Sequence, residues 1–421
     1  MNKVELLAPA GNFDKLKTAI YFGADAVYCA GKLYGMRAAA DNFDNDELRQ
    51  AVEYCHSRGK KIYITLNILA REDDFAALPE FLQFLETIKP DGLIIADLGV
   101  LALARQYAPS IDCHISTQAS VTNTHTAMVY VQLGATRIIP ARELTIAEIK
   151  ALRAGLPDNV EIECFIHGAM CMAYSGHCII SNFNTGREAN SGKCTQPCRY
   201  EYTVKEKVKG TQMDVVQDER GTYIFNSKDL NMISHLDDLI NAGVTSLKIE
   251  GRVKSKYYVG CVVNAYRRAL DEYFAGKPTV SSQIIEELDK AGSRNSGTGL
   301  YYQEDKLQTI SLDTAKPIAD YDFTANCITT HNGQYAIIEM RNRFQVGDEL
   351  EIVSPHSLGS KITVVKMTDT NGVELLDAKN VQQHIHLYTD YPLNEGDLLR
   401  KKAGKKQAHE QKSACSSCQC G

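Results

Sequence analysis

The sequence predicts an α/β fold: a (β/α)8 TIM-like barrel, followed by a small C-terminal antiparallel β-barrel domain. Three observations carry this expectation. Short apolar runs alternate with longer amphipathic stretches over the first two-thirds of the chain. Eight such runs occur, which suits a closed barrel better than an open sheet. From about residue 310 the pattern changes to short β-rich runs separated by turn signals.

In chain order the runs are VELLAPA (4–10), AVYCAG (26–31), KKIYITLNI (60–68), GLIIAD (92–97), IDCHIST (111–117), TRIIPA (136–141), VEIECFI (160–166) and TSLKIEG (245–251). Helical periodicity lies between most of them, as in Ile146, Ile149 and Leu152. Strands that alternate with helices pair in parallel through right-handed crossovers. An open doubly wound sheet is the competing arrangement, but no G-x-G-x-x-G turn follows the first run. Beyond the eighth run a helix is expected from about Lys256 to Phe274, with Tyr258, Val262, Ala265, Tyr266, Ala269 and Tyr273 on its apolar face. Its tyrosines read as core packing rather than as a stacking platform. The barrel is thus assigned residues 1–280 and a connector containing AGSRNSGTG residues 281–309. The β-domain, with YAIIEM, DELEIV and KITVVKM, takes 310–401. The tail, 402–421, is basic and polar and reads as disordered; its Cys415, Cys418 and Cys420 are assigned no function.

Composition narrows the class. The 421 residues exceed the roughly 250 that a barrel alone uses. Hydrophobic content of 44% supports a sizeable core. No apolar run approaches the roughly 20 residues of a membrane span, so no membrane partner is expected. MNKVELLAPAG shows no secretory signal, and thirteen cysteines, an odd number, point to a reducing cytoplasm. A net charge of −6 argues against a wholly basic nucleic-acid coat, and DNA is not expected as a partner. The densest basic stretches are VKEKVKG (204–210), Arg267 with Arg268, and the lysines from Lys401 to Lys406. Each reads more readily as a solvated face than as a phosphate track.

The most informative local feature is a cysteine block, HGAMCMAYSGHCIISNFNTGREANSGKCTQPCRY, in which Cys171, Cys178, Cys194 and Cys198 fall within thirty residues. Thiolates select zinc, copper(I) or iron–sulfur clusters, so ligand type alone leaves the metal open. The uneven spacing is unlike paired C-x2-C knuckles and leans towards a cluster. Scattered thiols packing as small hydrophobes are the alternative, which the polar flanks disfavour. The block follows the seventh strand, on the carboxyl-terminal face where parallel barrels carry their active sites. Asn67, Asp97, His114, Gln118, Arg142, Glu143, His167, Lys248, Glu250 and Arg252 stand at or near strand ends and predict a lined pocket there.

ELLAPAG with GADAVY, the HGAMCMAYSGHC and CTQPCR motifs, GTYIFNSKDL and SLKIEGR-x-KS-x-YY together resemble peptidase family U32. The resemblance runs from Val4 to about Lys277 and resumes in NRFQVGDELEI. Length and β-domain are similar to the branch of that family that makes 5-hydroxyuridine at the tRNA wobble position. Other branches hydroxylate a ribosomal cytidine or act as a pair in oxygen-independent ubiquinone synthesis. The resemblance implies a 4Fe-4S (four-iron–four-sulfur) cluster on Cys171, Cys178, Cys194 and Cys198. It also implies prephenate as hydroxyl donor in place of dioxygen. A tRNA anticodon loop is the implied partner, with an electron donor or a second subunit of the family beside it. The chain departs from a well-known bacterial relative in a shorter stretch between Arg199 and Glu219 and in its cysteine-bearing tail.

Prephenate is a dicarboxylate, so its site should present cations. Arg37, Arg142 and Arg252 are candidates, because guanidinium pairs a carboxylate through two parallel bonds. Lys228 and Lys248 add point charges, and Asn67 and Gln118 complete the expected binding set. His114 and His167 are expected to titrate near neutrality and to transfer protons, with Lys248 and Glu250 as further catalytic candidates. Glu250 lies two residues from Lys248 and from Arg252, which places all three on one face of an extended strand. A cluster with four protein thiolates has no open iron, so its expected role is electron transfer or support. Tyr174 and Phe183 are candidates for stacking on a flipped base. A collagenase-like peptidase is the alternative function, although no H-E-x-x-H or G-x-S-x-G motif occurs. A non-catalytic iron–sulfur module serving a hydroxylase complex is a third.

Overall fold

The structure, a computed structural model, describes residues 4–35, 41–170, 195, 228–292, 295–302, 320–331 and 334–403, with four two-residue strands between positions 204 and 222. All eight predicted runs form strands: β1 (Glu5–Pro9), β2 (Ala26–Cys29), β3 (Lys61–Leu66), β4 (Gly92–Ile95), β5 (Asp112–Ile115), β6 (Ala135–Ile138), β7 (Glu161–Gly168) and β8 (Ser246–Ile249). Each pairs in parallel with its neighbour, and β8 pairs with both β7 and β1, so the sheet closes into a barrel. Both faces of these strands are covered, which is why most read as largely apolar runs, with charge confined to a few positions such as Arg137, Glu163 and Lys248.

Helices α1 (Phe13–Tyr21), α2 (Asn45–His56), α3 (Leu78–Ile88), α4 (Leu98–Tyr107), α5 (Thr124–Gln132), α6 (Ile146–Ala154), α7 (Leu236–Asn241) and α8 (Lys256–Phe274) follow the strands. Their starts are fixed by side chains that accept otherwise unpaired amide hydrogens. Asn12 caps α1, while Asp44 with Glu47 and Thr145 with Glu148 form capping boxes on α2 and α6. Asp97, expected at the pocket, instead caps α4 by accepting from the Gly99 and Val100 amides. On α8 the tyrosines are packing residues, as anticipated: Tyr266 is fully buried and donates to the Ile166 carbonyl at 2.9 Å.

The connector is more structured than its Gly- and Ser-rich composition suggests. Helix α9 (Ser282–Asp289) buries Ile284 and Leu288. Ser296–Gly297 pairs with Asp229–Asn231, which itself runs antiparallel to the end of β7. Tyr301 then donates to the Phe165 carbonyl at 2.7 Å and ties the segment to the barrel. Backbone pairing, which composition does not record, makes this stretch part of the barrel unit.

The C-terminal strands are β9 (Tyr321–His331), β10 (Tyr335–Met340), β11 (Glu349–Val353), β12 (Lys361–Thr363), β13 (Lys366–Thr368), β14 (His384–Tyr388) and β15 (Leu398–Lys402). They form an antiparallel half-barrel in the order β12-β11-β15-β9-β10-β14-β13 around a core of its own, including Ile338, Leu350, Ile385 and Leu387. Buried Arg400 anchors it to the barrel unit, reaching Glu287 at 2.6 Å and Glu351 at 2.8 Å. Arg268 donates to the carbonyls of Ser354, Pro355 and Ser357, and Arg267 pairs with Asp25 and Asp271. These two arginines, read from sequence as a basic stretch, are therefore engaged within the molecule. Among the described residues no helix is long and apolar enough to cross a membrane.

Gly11, in the loop after β1, shows how the fold sets the active face. A Cβ there would lie 2.1 Å from the Arg252 carbonyl oxygen, a backbone atom that cannot swing aside. Gly11→Ala is expected to cost about 1–3 kcal/mol, the usual penalty for overpacking. Urea denaturation checks this, and unchanged stability would show that the Arg252 loop yields.

Candidate active site

The barrel interior is charged at its amino-terminal end. Arg137 of β6, 2% exposed, donates to Glu5 at 2.9 Å, to Glu161 at 2.7 Å and to Glu163 at 2.9 Å. Tyr63 of β3 donates to Glu5 at 2.6 Å, and Ser246 of β8 to the other Glu5 oxygen at 2.8 Å. Burial opposes the charge on Arg137, but Glu5 and Glu163 outweigh it and hold the guanidinium's pKa well above its ordinary value. One layer nearer the carboxyl ends, Lys248 of β8 donates to the second Glu163 oxygen at 2.6 Å. Glu163 is fully buried, so two cations meet on one carboxylate inside the barrel.

Above this layer opens a small cleft with a cavity volume of about 60 Å3. Its lining comes from the carboxyl ends of successive strands: Tyr28, Thr65 with Asn67, Ile94, Ser116 to Gln118, Ile139 with Arg142, Phe165, and Lys248 with Glu250 and Arg252. This is the face on which parallel barrels place their chemistry. Asn67, Gln118, Arg142, Lys248, Glu250 and Arg252 thus line one pocket, although β8 ends at Ile249 and Glu250 and Arg252 reach it from the loop that follows rather than from one strand face. Arg252 donates to the Thr65 hydroxyl at 3.2 Å. The guanidinium of Arg142 stacks 3.7 Å from the Phe165 ring centre and donates to the Ala169 carbonyl at 2.9 Å. Lys248 lies 4.4 Å from the Tyr28 ring centre and 5.4 Å from that of Phe165. Burial pushes its ammonium pKa down, Glu163 offsets this in part, and Arg137 and Arg142 push the same way as burial.

The two histidines do not behave as expected. His114 is buried against Tyr63, with ring centres 4.7 Å apart, and does not line the cleft. Burial, then the charges of Arg137 and Lys248, hold its pKa well below the usual value. His167 packs between Tyr266 and Tyr258 and is likewise absent from the lining. Burial, reinforced by Lys254, lowers its pKa to about 3. Both are therefore neutral at physiological pH, and titration near neutrality is overturned. Among the described residues, His167 Nε2, Tyr258 Oη and Asp229 Oδ1 are buried atoms without a hydrogen-bond partner, all near the end of β7.

Of the remaining candidates, Lys228 is half-buried beside Gly297 and does not line the cleft, while Glu143 also lies outside it. Arg37, Tyr174, Phe183, Cys171, Cys178, Cys194, Cys198 and the three tail cysteines lie outside the described residues. The described chain leaves β7 at Gly168 and reaches Met170, whose sulfur is 3.6 Å from Arg142. Met170, the last described residue before the cysteines, thus lies beside the cleft residue Arg142. Sequence reading missed Tyr28, Thr65, Ser116, Thr117 and Phe165 in the lining, and Arg137 and Glu163 beneath it. The one available signal was charge inside apolar strands, in TRII and VEIEC.

Fold and cleft define the class: a (β/α)8 barrel protein whose carboxyl-terminal face gathers two arginines, a buried lysine and amide side chains around a small polar cleft. The chain belongs to peptidase family U32, whose model matches residues 11–311 and whose C-terminal domain model matches residues 319–400. It is 35% identical to tRNA hydroxylation protein P1 of Bacillus subtilis, over 95% of each chain. It is 33% identical to tRNA hydroxylation protein P of Escherichia coli, over 96% of this chain and 98% of that one. An uncharacterized protease of Methanocaldococcus jannaschii is 40% identical, over 95% of this chain and 98% of that one.

The buried histidines make stability fall with acid. Their folded pKa values lie below the unfolded value near 6.5, so the unfolded chain binds more protons as pH drops through that value. The loss begins near pH 6.5 and for His167 continues to about pH 3. Between pH 7 and pH 5 each histidine is expected to remove about 2 kcal/mol. His167→Gln should reduce the acid-induced loss by that amount in urea denaturation at the two pH values. An unchanged loss would place a charged imidazole in the fold.

Proposed function

We propose that the chain is a tRNA-modifying hydroxylase that converts wobble uridine to 5-hydroxyuridine without dioxygen, taking the hydroxyl from prephenate. The observation that carries this reading is the cleft: Arg142, Arg252 and Lys248 meet in it with Asn67 and Gln118. Two guanidinium forks suit the two carboxylates of prephenate, and the amides suit its ring hydroxyl. The names of the Bacillus subtilis and Escherichia coli relatives, matched over nearly their full lengths, support the RNA-hydroxylating class.

Cys171, Cys178, Cys194 and Cys198 would hold a 4Fe-4S cluster at the rim, and four thiolates fit that group. When bound, the cluster would supply one-electron transfer. The residues of the barrel bind and orient the carboxylates, and the cleft walls of Tyr28, Ile94, Ile139 and Phe165 limit water around them. The anticodon loop would approach this same face, with an electron donor or a second subunit of the family as a further partner.

A peptidase reading finds less support. Among the described residues no histidine lines the cleft, so Ser116 and Thr117 have no imidazole base there. Described Cys29, Cys55, Cys113, Cys164, Cys261 and Cys327 are buried. Burial raises all six thiols, to about 11 for Cys113 and about 12 for Cys55, far from the thiolate a nucleophile needs.

Deleting the gene should remove 5-hydroxyuridine derivatives from bulk tRNA, measured by nucleoside mass spectrometry. Wild type should restore them and Cys171→Ala should not. Arg252→Ala should lower them by about tenfold or more, as for a lost charge-assisted hydrogen bond. Anaerobically purified protein should be brown, with about four irons per chain. Unchanged tRNA together with lost gelatin cleavage would contradict the proposal and favour the peptidase; one zinc and no colour would reject the cluster.

A further inference from the structure

We propose that Lys248 is a covalent catalytic residue, its amine condensing with the carbonyl of an α-keto carboxylate held in the cleft. This deepens the carboxylate-binding reading of the site and rests on it. Lys248 is 4% exposed, and its little exposed surface belongs to the cleft. Aromatic faces flank it, with the Tyr28 and Phe165 ring centres at 4.4 Å and 5.4 Å. An ammonium serving only to attract carboxylates gains nothing from such burial, because desolvation works against its charge. A nucleophilic amine does gain, since the neutral form is the one that attacks. The downward pKa shift of Lys248, caused by burial and aided by Arg137 and Arg142, runs in that direction.

The second requirement is a proton acceptor, and Glu163 Oε1 is 2.6 Å from the Lys248 nitrogen. Glu163 keeps its bond to Arg137 through the other oxygen, so it stays paired when Lys248 gives up its proton. The third requirement is a group that places the carbonyl. Arg142 lies against the same Phe165 ring as Lys248, and Arg252 lines the same cleft. A carboxylate on either fork sets an adjacent ketone beside the amine. Glu163 takes a proton from the ammonium, and the amine attacks the carbonyl carbon as the C=O pair moves to oxygen. Glu163 returns that proton to the alkoxide, then relays a second proton from the nitrogen to the resulting hydroxyl, which leaves as water while the nitrogen lone pair forms the C=N bond. Ammonium plus ketone thus gives iminium plus water, with no oxidant or reductant.

The test uses the full chain, pyruvate as probe, and cyanoborohydride to fix the imine as a stable secondary amine. Peptide mass spectrometry should find the reduced pyruvyl group on Lys248, at about tenfold or more over any other lysine. Lys248→Arg, which keeps the charge, should show none there, and Glu163→Gln should slow labelling about tenfold or more. No adduct on Lys248, or one no more abundant than on surface lysines, overturns the proposal; wild-type mapping alone decides this if a variant fails to fold. tRNA nucleosides from cells carrying Lys248→Arg separate the two readings. Lost hydroxylation without a wild-type adduct overturns the covalent role and leaves the hydroxylase. An adduct on Lys248, with tRNA unchanged by gene deletion, supports the covalent role and overturns the hydroxylase.

Discussion

The Glu163 carboxylate is the constraint on which the active face depends. It is fully buried, with one oxygen 2.9 Å from Arg137 and the other 2.6 Å from Lys248. Parallel barrels usually fill this space with branched apolar side chains. Placing five charged groups here costs several kcal/mol of desolvation per buried ion, recovered only where each carboxylate oxygen finds a donor. Glu5 and Glu163 meet that condition through Arg137, Tyr63, Ser246 and Lys248. The network spans β1, β3, β6, β7 and β8, so it fixes the strand ends that carry Arg142, the start of the cysteine block and the Lys248–Arg252 segment. A chain of ion pairs beneath a cleft is thereby converted into a fixed position for Lys248.

Much of this was legible in the sequence, for definite reasons. Strands covered on both faces leave largely apolar runs, so all eight were readable to within three residues at each end. Residues at the strand ends follow from topology, which is why Asn67, Gln118, Arg142, Lys248, Glu250 and Arg252 could be grouped in advance. Asp97 stands at an equivalent position yet caps a helix, and nothing local separates the two roles. The ion-pair network was not legible, because Arg137 meets Glu5 from 132 positions away and Glu163 from 26. His114 and His167 failed for another reason: an imidazole's pKa depends on burial, and neither spacing nor neighbours in the chain record it. Arg267 with Arg268 looks like a phosphate-binding pair in one dimension and proves to be a set of internal clamps in three.

The chemistry of the site sits uneasily with the family's peptidase label. A peptidase needs an activated nucleophile and a base in reach of it, whereas the described cleft combines two arginines with a desolvated lysine. The neutral histidines lie off to its side, packed among tyrosines. On the proposed reading, such a cleft would hold an anionic small molecule.

The central claim, that Glu163 and Lys248 form one energetic unit, is tested most directly by a double-mutant cycle. Urea denaturation would be measured for wild type, Glu163→Gln, Lys248→Met and the double variant. Glu163→Gln strands a buried ammonium and Lys248→Met removes one partner of a shared carboxylate, while the double variant relieves the first of these costs. The double variant is expected to be less destabilised than the sum of the singles by about 1–3 kcal/mol. Additivity to within about 0.5 kcal/mol would contradict the account, because it would mean that lysine and carboxylate hold their places independently.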